Sequence, residues 1–129
     1  MDIYLTPEFE DERKKARISD KILCKAAKAI QSGLTGDQLG KFTFKKRLAL
    51  PAMSPRDGAR SIIFFNNGTD VYFFDMYLKS ELSKKKGKEL EDDEIEAYCL
   101  LAPQFLYMSK EKKQNLLKKK ELIEVTCDE

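Results

Sequence analysis

The residues best suited to chemistry in this chain are basic and lie in or beside predicted strands. Lys45, Lys46 and Arg47 form an unbroken basic block. Adjacent strand residues point to opposite faces, so Lys45 and Arg47 share one face and Lys46 lies on the other, unless a bulge re-aims one of them. Arg60 begins the next predicted strand, and Lys79 follows the strand after that. In an antiparallel arrangement, Arg47, Arg60 and Lys79 converge at one end of the sheet.

Converging guanidinium and ammonium groups predict a site for a phosphate. Charged donors bind phosphate oxygens strongly and stabilise the additional negative charge of a phosphoryl transition state. Tyr77 lies two residues before Lys79, on the same face of a regular strand, where it could stack on a base or pass a proton. The alternative interpretation is that these are ordinary exposed charges on a sheet.

The composition narrows the chemistry that such a site could perform. The 129 residues include no histidine, which excludes Ser-His-Asp triads, Cys-His pairs and histidine-dependent zinc sites. The acidic run at 91–94 could in principle hold Mg²⁺. Sequential carboxylates on a helix point in different directions, however, so solvated acids at a helix N-terminus are the favoured interpretation. Catalysis would then rely on Lys, Arg, Tyr, Asp, Glu or Cys, and we expect no metal or cofactor.

The net charge of +2 conceals a strongly uneven distribution. Residues 1–12 contain five acids and no base, whereas residues 13–60 contain thirteen Lys or Arg against three acids. Residues 91–108 again contain five acids and no base. The basic segment is where a polyanion would bind.

The three cysteines and the absence of long apolar runs predict a cytoplasmic protein. Cys24 and Cys99 fall on predicted helix core faces, and Cys127 lies near the end with no obvious partner, so reduced thiols are expected. No apolar run approaches the roughly 20 residues that span a bilayer. The acidic N-terminal segment predicts neither a signal nor a transit peptide.

Capping residues and apolar spacing predict four helices. Thr6 and Pro7 open a helix to about residue 17, and Ser19 opens a second helix that stops at Gly33. A third helix begins at residues 92–94 and should be kinked or divided by Pro103. Ser109 begins a short last helix to about residue 118.

The strand predictions complete an α+β domain spanning residues 1–129. Strands are predicted at 42–50, 60–65, 71–78 and 122–125, with a further short strand possible at 3–5. Asn67 and Gly68 suit a tight hairpin turn, and 51–58 is a loop. We therefore expect two N-terminal helices packed on a small antiparallel sheet, followed by C-terminal helices and a final strand. The aromatic residues at 72–74 are interpreted as core rather than base-stacking.

An ordered series of short motifs in this chain resembles a known family. The series is Phe44-Lys45-Lys46-Arg47-Leu48, Gly58-Ala59-Arg60, Tyr77-Leu78-Lys79-Ser80-Glu81, Asp92-Asp93-Glu94-Ile95 and Glu121-Leu122-Ile123-Glu124-Val125. It is similar to the phage-associated RelE/HigB-like branch of the RelE/ParE toxin superfamily, in the same order over nearly the whole chain.

This resemblance implies the toxin of a type II toxin–antitoxin system. Such toxins are metal-free mRNA interferases that act mostly at the ribosome and direct the ribose 2′-OH onto the adjacent phosphate. By position, Arg47 and Arg60 would stabilise the phosphorane, Lys79 the leaving group, and Lys46 or Tyr77 would assist proton transfer. Lys79 stands where other branches have arginine, and Tyr77 stands where residues vary.

The resemblance also implies partners and alternatives. Lys45 and Arg56 are predicted to contact RNA, and the expected protein partner is an antitoxin, of helix-turn-helix type in this branch. Fold does not fix function. A non-catalytic, ParE-like inhibitor of DNA gyrase or an RNA-binding accessory module therefore remains an alternative on the same fold.

Overall fold

A computed structural model describes residues 2–48, 50, 58–66, 68, 70–78 and 91–127. Within them lie six strands and four helices. In chain order these are β1 (Ile3–Leu5), α1 (Pro7–Lys15), α2 (Asp20–Gln31), β2 (Asp37–Gly40), β3 (Thr43–Leu48), β4 (Ala59–Phe64), β5 (Val71–Leu78), α3 (Asp92–Leu106), α4 (Lys110–Lys118) and β6 (Ile123–Val125).

The strands form one sheet in the order β2-β3-β4-β5-β1-β6. Strands β2 to β5 are antiparallel neighbours, and β6 is antiparallel to β1. Strand β1 is parallel to β5, which requires a long connection between the two, and α1, α2 and strands β2 to β4 provide it. The expectation of a purely antiparallel sheet is therefore wrong at this pair, and the α+β class is confirmed.

The helices begin where their capping residues predict. The hydroxyl groups of Thr6, Ser19 and Ser109 accept hydrogen bonds from backbone amides three residues later, at 3.1, 3.3 and 3.1 Å. These bonds satisfy amide groups that have no partner inside the helix. Pro103 does not divide α3, which continues to Leu106.

Apolar side chains fill two clusters, one on each face of the sheet. The first joins α1 and α2 residues such as Phe9 and Leu23 to Ile63 and Phe73, all of them fully buried. The second joins Ile62, Phe64 and Tyr72 to residues of α3 and α4. Both faces of the central strands are therefore covered, as expected for strands that are apolar on both sides.

The strand predictions are confirmed to within two residues at each end, but one strand was missed. Strand β2 contains Asp37, Gln38, Leu39 and Gly40, residue types that mostly disfavour strands. A two-residue turn joins it to β3 and places Phe42 at a φ of 65°, a conformation that few non-glycine residues adopt. Asn67 of the predicted hairpin and most of the predicted loop at 51–58 lie outside the described residues.

The expectation that all cysteines are reduced is wrong for two of the three. Cys24 and Cys127 are joined by a disulfide, with 5.8 Å between their Cα atoms. The connection arises because β6 adds to the edge of β1, so the chain beyond Val125 comes alongside α2. Cys24 is buried, as expected, whereas the free thiol Cys99 is only half-buried.

Candidate functional site

Arg47, Arg60 and Tyr77 lie side by side on three neighbouring strands. The register pairs Arg47 of β3 with Arg60 of β4, and Arg60 with Tyr77 of β5. Directly paired residues place their side chains on the same face, with Cβ atoms about 4.5–5.5 Å apart. The row lies at one end of the sheet, because Arg47 is near the end of β3, Arg60 near the start of β4 and Tyr77 near the end of β5. The predicted proximity of Arg47 and Arg60 is confirmed, whereas Lys79, the third residue of the predicted convergence, lies outside the described residues.

The three side chains differ in their access to solvent. Arg60 is only 2% exposed, Tyr77 is half-buried and Arg47 is exposed. The guanidinium of Arg60 also contacts the carbonyl of Ala59 at 3.5 Å. An arginine keeps its charge even when buried, so a permanent positive charge sits in an environment of low dielectric constant. There, attraction to an anion is stronger than it is at a solvated surface.

An acidic residue, Asp75, lies on the same face two residues before Tyr77, and a bulge in β5 adds Phe74 to that face. Ile62 pairs with Asp75 and Ile63 pairs with Phe73, so Phe74 is an extra residue between them. The extra residue lets the consecutive side chains Phe74 and Asp75 both face α3. Phe74 packs edge-on against the ring of Tyr98, at 5.8 Å between ring centroids.

Tyr98 of α3 closes this part of the site with a hydrogen bond. Its hydroxyl donates to the carboxylate of Asp75 at 2.7 Å. Burial, reinforced by this bond and by the Asp75 charge, raises the pKa of Tyr98 well above its usual value. The phenol keeps its proton as the donor of this bond and holds Asp75 in one orientation.

Lys46 lies on the opposite face of the sheet from Arg47. Its ammonium group donates to the carbonyl of Leu34 at 2.7 Å, beyond the end of α2. Burial lowers the pKa of Lys46, which a lysine base would require, but the charge is directed at backbone rather than at the row. The sheet is thus basic on both faces without any bulge in β3, one of the two arrangements that the sequence permitted.

The other predicted site residues are placed as follows. Lys45 shares the face of Arg47, pairs with Ile62 across the sheet, and lies 3.8 Å from the Asp37 carboxylate. Arg56 and Lys79 lie outside the described residues.

Sequence reasoning missed Asp75 and Tyr98. Asp75 lies two residues before Tyr77 and shares its face in a regular strand, a signal that was present in the sequence and was not used. Tyr98 packs against the cluster between α3 and the sheet, and its helical spacing gave no sign of a polar partner there.

Comparison with models of protein families identifies the family of this chain. The model of the RelE toxin of the RelE/RelB toxin–antitoxin system matches residues 1–125. The chain belongs to the RelE toxin family. No curated protein and no solved structure matches it significantly.

Membership of this family identifies the chain as a toxin of the toxin–antitoxin type, which pairs with an antitoxin. The family match covers every residue of the Arg47–Arg60–Tyr77 row, and also Asp75 and Tyr98. None of the helices in the described part of the chain has the length and apolar character that crossing a membrane requires.

Proposed function

We propose that this RelE-family toxin is a metal-free endoribonuclease that cleaves messenger RNA in the cytoplasm, with residues 1–129 acting as a single toxin domain. The observation that supports this most directly is the cross-strand row of Arg47, Arg60 and Tyr77. It combines a buried cation, an exposed cation and a phenol on one face at one end of the sheet. RelE-family toxins are generally endoribonucleases.

The proposed reaction is an attack of a ribose 2′-oxygen on the adjacent phosphorus. The new O–P bond forms as the bond to the 5′-oxygen of the next nucleotide breaks, which leaves a 2′,3′-cyclic phosphate and a free 5′-hydroxyl. The 2′-hydroxyl loses a proton and the leaving oxygen gains one. Arg60 would stabilise the charge of the phosphorane, and the exposed Arg47 would bind the same phosphate from the solvent side. We assign proton transfer or base stacking to Tyr77 and leaving-group stabilisation to Lys79.

The charges around the row indicate on which side of Arg60 the RNA backbone would lie. On one side of Arg60 lie Lys45 and Arg47 of β3. On the other side, beyond Asp75, an open groove of about 430 Å³ is lined by Thr6, Pro7, Glu8, Phe74, Asp75, Phe105 and Glu121. The carboxylates of that groove repel phosphate. The polynucleotide would therefore run on the β3 side, with Lys45 and Arg56 as further RNA contacts.

The proposal is tested by the chemistry of the products. The purified toxin is incubated with messenger RNA, with and without ribosomes, in the presence of a chelator, and both new ends are analysed. We expect cyclic phosphate and 5′-hydroxyl ends that disappear when the antitoxin is added. If intact RNA accompanies growth arrest and DNA damage in cells, the chain is a gyrase-directed toxin and the proposal fails. Cleavage only with ribosomes would establish the ribosome as a partner.

We further propose that the antitoxin is a small helix-turn-helix protein. Co-purification of the toxin with the product of a neighbouring short gene tests this. A bound antitoxin without a helix-turn-helix domain would contradict it.

A further inference from the structure

A second charged cavity lies on the opposite side of the sheet from the Arg47–Arg60–Tyr77 row. It has a volume of about 550 Å³ and is lined by Asp20, Lys21, Cys24, Lys25, Lys28 and Thr126. Cys24 belongs to the core cluster that contains α1 and α2, whereas Tyr77 belongs to the cluster under α3. The cavity therefore does not belong to the proposed RNA site.

The cavity is positively charged around a sulfur atom. Lys21 precedes Cys24 by three residues and Lys28 follows it by four, so both lie on the same helix face as Cys24, one turn away on either side. Lys21, Lys25 and Lys28 are all exposed. The single carboxylate among the lining residues, Asp20, is already paired with Arg13 at 2.7 Å. Three solvated cations thus face an opening into which a small anion fits.

Cys24 is the half of the disulfide that lines the cavity, whereas Cys127 follows the lining residue Thr126. A thiolate that enters the cavity therefore meets the sulfur of Cys24, between Lys21 and Lys28. These lysines attract an anionic thiol to that sulfur and raise the local concentration of its thiolate. A higher thiolate concentration accelerates thiol–disulfide exchange.

We propose that this cavity is a thiol–disulfide exchange site for an anionic low-molecular-weight thiol, with Cys24 as the sulfur that is attacked. The incoming thiolate forms a bond to the Cys24 sulfur, the Cys24–Cys127 bond breaks, and its electron pair leaves on Cys127. A second thiolate of the same kind then attacks the small-molecule sulfur of the mixed disulfide. It releases the Cys24 thiolate and a symmetrical disulfide. Two small thiols are oxidised as one protein disulfide is reduced, and the reverse sequence forms the bond.

The site controls how β6 is attached. That strand has three residues and is held to β1 by three register pairs. The disulfide fastens the chain beyond β6 to α2, across a sequence separation of 103 residues. Exchange with a small thiol would free the C-terminal segment from α2 without touching the row on β3, β4 and β5.

The test compares thiols of opposite charge on the oxidised full chain. Reduction by glutathione, which is anionic, and by cysteamine, which is cationic, is followed by intact mass, and each rate is divided by the thiolate concentration. We expect glutathione to react about tenfold faster or more at low ionic strength, and the difference to disappear at about 1 M salt. Equal rates at low salt would overturn the proposal, and so would a chain that keeps both thiols free in an oxidised glutathione buffer.

Two sets of variants locate the effect. Combining Lys21→Gln, Lys25→Gln and Lys28→Gln should abolish the preference for glutathione. The matched control, Lys110→Gln with Lys118→Gln and Lys119→Gln on and after α4, should retain it. A loss in the control as great as in the cavity variant would refute a local site.

Single-cysteine variants then test which sulfur is attacked. With oxidised glutathione at low ionic strength, Cys127→Ser should accumulate a glutathione adduct on Cys24 faster than Cys24→Ser accumulates one on Cys127. The opposite order would overturn the assignment of Cys24.

Discussion

Replacing Arg60 is the sharpest perturbation of the proposed RNA site, because its charge is the one that solvent reaches least. Arg60→Met removes the guanidinium and keeps a flexible apolar side chain of similar length in a position that is 2% exposed. Loss of one preorganised donor to a transition-state charge typically lowers the rate by about 10²–10³-fold, which corresponds to about 2.7–4 kcal/mol. Arg60→Lys retains a charge but loses the planar fork, so we expect a smaller loss, of about tenfold.

The assay is single-turnover cleavage of a defined messenger RNA, with denaturant unfolding and antitoxin binding measured on the same preparations. Lys46→Met is the matched control. It removes a cation from the same strand and the same basic block, but from the opposite face, where Lys46 bonds to the carbonyl of Leu34. We expect this control to lose about 1 kcal/mol of stability and to cleave at the parental rate.

Two results would refute this reasoning. One is an Arg60→Met variant that is folded and binds antitoxin, yet cleaves at the rate of the parent. The other is a Lys46→Met variant that remains folded but loses as much activity as the Arg60 variant. That second outcome would show that Lys46 takes part in catalysis, as the family resemblance alone suggests.

Three further perturbations test the surroundings of the site and the packing of the fold. Tyr98→Phe removes the hydroxyl that donates to Asp75, and should lower stability by about 1 kcal/mol and slow cleavage several-fold in a kinetic assay. If neither the stability nor the cleavage rate changed, the role of Tyr98 in positioning Asp75 would be contradicted. Gly40→Ala would place a Cβ atom against the sulfur of Cys99 and should destabilise the fold by about 1–3 kcal/mol in denaturant unfolding, with Cys99→Ala restoring most of the loss. If the effects of Gly40→Ala and Cys99→Ala on stability were simply additive, the close contact between the two residues would be refuted. Burial raises the pKa of Asp70, but hydrogen bonds from a backbone amide and from a lysine of α4 outweigh burial and hold that pKa below its usual value. The ionised Asp70 therefore stabilises the fold above about pH 4, and this stabilisation is lost as the pH falls through the pKa of the folded state. Asp70→Asn should therefore be less stable than the parent at neutral pH and approach it in acid, and a pH-independent difference would refute this.

The row of Arg47, Arg60 and Tyr77 was predictable because strand geometry leaves few choices. Three strand-forming segments follow one another, and short connections favour antiparallel neighbours. In such a meander the end of one strand lies beside the start of the next. The positions of Arg47 near a strand end and Arg60 at a strand start therefore bring them together without any knowledge of side-chain packing.

The features that sequence reasoning missed depend on contacts between distant segments. Strand β2 has weak strand-forming residues and exists because it pairs with β3 and supports α3, whose Cys99 packs against Gly40. The bulge at Phe74 and the parallel pairing of β1 with β5 also depend on tertiary context. The disulfide was missed for the same reason, because 103 residues separate its two ends and no local pattern relates them.

The basic block illustrates why charge runs need a structure before they can be given a function. Lys45, Lys46 and Arg47 look equivalent in sequence, and a two-residue period divides them between two faces. Arg47 lies beside the buried charge of Arg60, where a second cation would strengthen phosphate binding. Lys46 instead donates to the carbonyl of Leu34, in the loop that follows α2. The same local cationic excess therefore stabilises the packing of α2 on one face of the sheet and forms the proposed RNA site on the other.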